Sequence, residues 1–338
     1  MAEDAMDRTS GGSEGSDRTE GASSGRSVSS EREDGRSTGI RRAPGATTPS
    51  KGTSELNPSS RSLPVAPETS AATARYGECT ETDTDNEECG RVSLVGAGPG
   101  HPDLLTRRAW KRLTEADVVL YDSLTSDAVL DELPSEVDVI DVGKRPPNRT
   151  SQAEIDELLS ERARHGERVV RLKCGDPGVF GRGGEEAEHL AAEGIAFEIV
   201  PGVSSVLAAS GTSAIPLTHR EHASSVTVVT GHETPEKEGS ALNWGALADT
   251  ITAGGTLVIL MGVARLAENV RALREHGVGA ETPAATVQKA TWHDQQTVVA
   301  DLETIVERNR AAEVEPPAIT IVGDVVSVRD AVETHLLR

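Results

Sequence analysis

The stretch VSLVGAGPGHPDLLT, residues 92–106, decides the fold. It opens on a short β-rich apolar run, Val92, Ser93, Leu94, Val95, which breaks into Gly96, Gly98, Pro99 and Gly100, with Pro102 close behind. That order describes a strand whose carboxyl end stops in a tight loop, before Leu104, Leu105 and Thr106 lead into a helix. Open α/β sheets bind ligands at such strand ends. The glycines let a ligand approach the backbone, while Pro99 fixes φ and removes an N–H donor, so the loop is stiff and shaped for a ligand. A dinucleotide fingerprint needs a third glycine three residues after Gly98, and that position holds His101. Pro99 also takes away an amide where a pyrophosphate wants donors. Both features weigh against a nicotinamide-dependent dehydrogenase.

Working outward, residues 107–116 read as a helix with Ala109, Trp110 and Leu113 as its apolar contacts. VVLYD, residues 118–122, reads as a buried strand that delivers Asp122 to its carboxyl end. A short helix over 125–133 and a strand over 137–142, ending at Gly143, Lys144 and Arg145, complete a strand–helix alternation typical of a parallel sheet. Gly98, Asp122 and Lys144 are therefore expected along one sheet edge. Ser151 with Glu154 is a capping-box start for a helix running to about His165, stopped by Gly166. The strand at 169–172 opens into a second glycine-rich loop, 174–184, and the helix after it carries Glu185 and Glu186 at its positive end.

A strand at 197–200 reaches Pro201 and Gly202, and small residues over 204–213 predict a closely packing helix. The second half repeats the α/β texture, with strands expected at 225–230, 256–261, 284–288 and 318–322. Its helices are expected at 242–248, 264–276, 302–309 and 328–336. The chain thus divides into a tail, residues 1–90, and two α/β domains, residues 91–201 and 202–338.

Composition sets the outer bounds. The 338 residues suffice for two ordinary domains, but residues 1–90 are rich in Ser, Gly, Thr, Glu, Asp and Arg and poor in large apolar side chains. Such a segment buries too little apolar surface to offset its ordering entropy, so disorder is expected there. It lacks the apolar core of a secretory signal, and its acids argue against a transit peptide. Acidic residues number 55 against 34 basic, a net charge of −21. That balance disfavours nucleic acid and anionic lipid as partners and resembles proteins adapted to high salt. No run of about 18 apolar residues exists to span a membrane, which leaves the cytoplasm as the expected location. Cys79, Cys89 and Cys174 are too few and scattered for a disulfide framework. The run CTETDTDNEEC reads as solvated tail rather than a metal tract, having neither a CxxC pair nor a neighbouring histidine, and no metal is expected.

Taken in order, GAGPG-x-P-x-LLT, VVLYD, VGKR, VVRLK-x-GDP-x-x-FGRGGEE, VPG and IPLTHR closely resemble the uroporphyrinogen-III C-methyltransferases of the tetrapyrrole methylase superfamily, over residues 91–330. The first loop is shared with diphthine synthases and later corrin methyltransferases; VGKR, GRGGEE and PLTHR in order are more specific. The resemblance implies two α/β domains with S-adenosylmethionine folded into the cleft between them, in a homodimer. It implies methylation of two pyrrole carbons of uroporphyrinogen III, through precorrin-1 to precorrin-2, toward sirohaem and cobalamin. Another methyltransferase of the superfamily, acting on a later corrin or a diphthamide precursor, is the nearest alternative.

By motif, the cofactor positions are Gly98, Pro99, Gly175, Asp176, Val179, Ser204, Ser205, Met261 and Ala290. Asp122 and Lys144 match the family's proposed proton acceptor and donor, and Arg182, Glu185 and Arg220 match groups proposed to hold or activate the substrate. Two departures stand out. Cys174 and Ala290 occupy places where the family usually has glycine, and a Cβ at either narrows the cofactor pocket.

Methyl transfer from a sulfonium is an in-line displacement, so the protein's task is to hold the methyl carbon against an electron-rich pyrrole carbon, with no covalent nucleophile or metal. Positive charge grows on the pyrrole nitrogen, whose N–H must lose its proton. A carboxylate within reach helps, and Asp122 is the candidate. The competing reading is that Asp122 caps the next helix. The substrate carries eight carboxylates, so cations must gather at the cleft of this acidic protein. Lys144, Arg145, Arg149, Lys173, Arg182 and Arg220 all fall in or beside the strand-end loops.

Overall fold

The computed structural model describes residues 90–143 and 150–335, all within one compact unit of the chain. The tail and Lys144, Arg145 and Arg149 lie outside the described residues. From the amino end, the elements are β1 (Arg91–Gly96), α1 (Arg107–Thr114), β2 (Val118–Tyr121), α2 (Asp127–Leu130), β3 (Asp138–Asp141), α3 (Gln152–Arg164), β4 (Arg168–Lys173), α4 (Gly183–Ala192) and β5 (Phe197–Val200). These five strands form one all-parallel sheet in the order β3-β2-β4-β1-β5. Every strand therefore points its carboxyl end at the same edge, where Gly98, Asp122 and Cys174 follow β1, β2 and β4.

An all-parallel sheet must be covered on both faces. Alternation within the strands sorts the side chains accordingly. Val92, Leu94, Val118, Leu120 and Val169 pack with Ile155 and Leu159 of α3 and Leu190 of α4. Val95, Val119, Val170 and Leu172 pack with Ala109 and Leu113 of α1 and Val129 of α2. Trp110, read as a third apolar contact of α1, is instead 36% exposed. α3 starts as its sequence dictates: the Ser151 hydroxyl accepts from the Glu154 amide, and the Glu154 side chain answers to the Ser151 amide.

Past β5 the chain enters a second layer: α5 (Ser205–Ser213), β6 (Val226–Thr230), α6 (Trp244–Thr252), β7 (Thr256–Leu260), α7 (Leu266–Glu275), β8 (Pro283–Gln288), β9 (Gln296–Asp301), α8 (Ile305–Ala311), β10 (Ala318–Val322) and α9 (Val328–Val332). The second sheet runs β6-β7-β10-β8-β9. It is mixed, since only β6 and β7 pair in parallel while β10 and β9 run antiparallel to their neighbours. β9 has no counterpart in the sequence reading, which assigns 296–301 to no element. α5 packs on this sheet, with Val206 and Ala209 beside Val258, Ile319 and Ile321, while α6 and α7 cover the opposite face. No helix among the described residues is long and apolar enough to cross a membrane.

Candidate functional site

Three strand ends of the first sheet meet backbone to backbone. Gly98 and Gly175 exchange amide hydrogen bonds of 3.2 and 2.8 Å, which ties the loops after β1 and β4 together. A Cβ on Gly202 would lie 2.1 Å from the Gly175 carbonyl oxygen, and one on Gly96 would lie 2.5 Å from the Gly202 Cα. No side chain fits at either position. Asp176 locks the arrangement from the side: one carboxylate oxygen accepts from Gly178 N at 2.8 Å and the other from Gly202 N at 3.0 Å.

Beside these loops a cavity of about 380 Å³ opens between the two sheets, a size suited to a small-molecule ligand. Pro99, Gly175, Asp176, Val179, Ser204, Ser205, Met261 and Ala290 all line it. Gly98 does not; its part is to hold Gly175 in place. Leu124, Phe180, His232, Leu260, Lys289, Trp292 and Ile319 also line the cavity and were not anticipated. Several of these follow strand ends of the second sheet, which is the signal that marks them. Trp292 sits in the turn before β9 and carries no such mark.

The wall is mostly apolar. Phe180, Met261 and Lys289, all wall residues, have positive φ without being glycine, at 54°, 54° and 48°. Such conformations persist where the surroundings over-determine them, as ligand sites do. The Cys174 thiol is pushed above its usual range by burial, against a hydrogen bond with Ser205.

Asp122 follows β2 at the same edge. Its Oδ1 accepts from Arg171 Nη2 at 2.6 Å, and its Oδ2 lies 4.0 Å from Lys173 Nζ. The N-cap position of the next helix, α2, is Ser126, and the Asp122 carboxylate faces Arg171 and Lys173 instead. Behind it lies a buried charge cluster that sequence reasoning missed. Glu186, fully buried on α4, accepts through Oε1 from Arg171 Nε (3.1 Å), Lys173 Nζ (2.8 Å) and Gln152 Nε2 (3.2 Å). Burial, then the adjacent Arg171 guanidinium, push the Lys173 ammonium below the ordinary lysine range, while Glu186 and Asp122 pull the other way.

This corrects one expectation. Lys173 is not a rim cation: it is 2% exposed and faces inward against Glu186. Arg182, in the left-handed region at φ 59°, follows the wall residues Phe180 and Gly181 directly and pairs with Glu185 one turn on, which holds the guanidinium charged. Arg220 lies in an exposed turn between α5 and β6 and lines no part of the cavity. The structure thus sets eight of the nine expected cofactor positions, all but Gly98, on the wall of one cavity, sets Asp122 two residues from the wall residue Leu124, and places Arg182, Glu185 and Arg220 outside the wall. Lys144 lies outside the described residues.

Residues 91–306 match the family model for tetrapyrrole (corrin/porphyrin) methylases. An S-adenosyl-L-methionine-dependent uroporphyrinogen III methyltransferase of Methanosarcina barkeri is 49% identical over 242 residues, 71% of this chain and 94% of the relative. A siroheme synthase of Ectopseudomonas mendocina is 47% identical over 243 residues, and the chain spans 51% of its length. Among solved structures, a uroporphyrin III C-methyl transferase from Thermus thermophilus aligns with a TM-score of 0.61 at 43% identity, covering 71% of this chain and 100% of the other. The same figures hold for the Thermus thermophilus enzyme complexed with S-adenosylhomocysteine. A cobalt precorrin-4 methyltransferase aligns with a TM-score of 0.63 at 28% identity, covering 70% and 95%.

Proposed function

The chain belongs to the tetrapyrrole methylase family, and from that premise we propose that it is the S-adenosylmethionine-dependent methyltransferase of uroporphyrinogen III, serving sirohaem and cobalamin biosynthesis. The observation that carries the reading is the cavity itself. Eight positions, drawn from loops of both sheets and singled out by motif alone, line one space. We read the chain as two α/β domains, 91–201 and 202–338, behind a tail, working as a homodimer in the cytoplasm.

Bound in the cavity, the cofactor supplies an activated methyl group. The apolar wall excludes water and orients it, while the glycine loops, held by Asp176, fix where it sits. Asp122 accepts the pyrrole N–H proton through Oδ2, since Arg171 occupies Oδ1. Arg182 and Arg220, with Lys144, which follows β3 in sequence, meet substrate carboxylates. Glu185 keeps the Arg182 fork aligned until a substrate carboxylate competes for it. Two rounds give precorrin-1 and then precorrin-2.

The test is one preparation of the full chain incubated with uroporphyrinogen III and S-adenosylmethionine, its chromophore followed by absorbance and its mass by sedimentation equilibrium. Appearance of precorrin-2 or its oxidised product, from a particle of twice the chain mass, is expected. Binding of S-adenosylhomocysteine without any methylation of uroporphyrinogen III would overturn the substrate assignment and point to another tetrapyrrole; a monomer would overturn the dimer.

A further inference from the structure

The turn between β8 and β9, residues 289–295, reaches across to the first glycine loop. The Trp292 indole Nε1 donates to the Pro99 carbonyl at 2.9 Å, and both residues line the cavity. The fit admits nothing between them: a Cβ on Gly100 would lie 2.1 Å from that same nitrogen. One residue earlier, Thr291 Oγ1 accepts from the His101 amide at 3.2 Å. The turn is itself braced, with Thr291 N donating to Gln295 Oε1 at 2.8 Å and Gln295 Nε2 to the Thr212 carbonyl at 3.3 Å. Lys289 and Thr291 hold positive φ, 48° and 75°, a cost that a non-glycine turn bears only where its shape is imposed. Two hydrogen bonds thus join a turn of the second sheet to the strand-end loop of the first, at the cavity wall.

We infer that Trp292 is a positioning residue for the cofactor: by tethering the Pro99 carbonyl to the second sheet, its indole fixes the width of the space between the two lobes. The inference rests on reading the cavity as the S-adenosylmethionine site. Phenylalanine keeps an aromatic ring but removes the N–H donor, so Pro99 and Gly100 are released while the wall stays apolar. Loss of one such bond is felt as affinity.

The full chain and its W292F variant are titrated with S-adenosylhomocysteine by calorimetry, with steady-state kinetics alongside. The expected result is a Kd raised about five-fold, with the KM for S-adenosylmethionine rising in step and kcat carrying the smaller share of the change. A folded W292F with wild-type Kd overturns the inference. The wild-type protein supplies a second reading that does not depend on the variant folding. Of the three tryptophans, Trp110 and Trp244 do not line the cavity, so saturation with S-adenosylhomocysteine is expected to shift indole emission through Trp292. Unchanged emission at saturation overturns the inference. If wild-type binding depends on Trp292 but uroporphyrinogen III is not methylated, the substrate reading fails and the role of Trp292 stands.

Discussion

Arg171 and Lys173 stand two residues apart on β4, so both side chains leave the same face of a central parallel strand, and both are 2% exposed. Two cations under α3 and α4 are tolerable only beside acids. Glu186 supplies one carboxylate from α4, and Asp122 supplies the other from the end of β2. Removing one partner of a buried ion pair strands the other. Glu186→Gln is expected to cost about 3–5 kcal/mol in urea unfolding followed by circular dichroism, and adding Lys173→Met to recover part of that. A loss near the ~1 kcal/mol of an exposed pair would show that the cluster is not coupled. A trace of this was present in the sequence. VVRLK places two cations on one side of an otherwise apolar strand, which signals a buried pair in need of acids. Its partner Glu186 was read only for the helix dipole, because nothing local links α4 to β4.

At the scale of elements, the strand ends decide the site. Gly96, Gly175 and Gly202 let the segments after β1, β4 and β5 touch through their backbones, and the cavity forms where that contact leaves off. Gly202→Ala forces the Gly175 loop away and breaks the geometry of the Gly202–Asp176 bond. A fall in kcat/KM on the order of 100-fold is expected, measured by steady-state kinetics on protein shown to be folded; wild-type kcat/KM would contradict this origin of the site. These loops were legible because glycine and proline after an apolar run have few other meanings. β9 was not. Its apolar residues, Val298, Val299 and Ala300, do not alternate with polar ones, it sits at the sheet edge with no residue fully buried, and the turn before it has Lys289 and Thr291 where a hairpin normally advertises glycine. The same turn hides Trp292, whose partner Pro99 lies 193 residues away in sequence.

Across the whole molecule, a net charge of −21 has to coexist with a substrate of many carboxylates. Six cations were expected to meet it. Lys173 serves the interior, Arg182 is shared with Glu185, Arg220 stands exposed, and Lys144, Arg145 and Arg149 lie outside the described residues. The fold class and the family were readable because their motifs are local and ordered along the chain. Which charges face a substrate was not, since that depends on side-chain direction across two layers. We propose that the strand-end loops of both sheets share one cofactor. A crystal structure of the full chain with S-adenosylhomocysteine tests it most directly. The ligand is predicted in the cavity, against Pro99, Gly175 and Ser205 on one side and Met261, Ala290 and Trp292 on the other; a ligand bound to one sheet alone, or elsewhere on the surface, would contradict it.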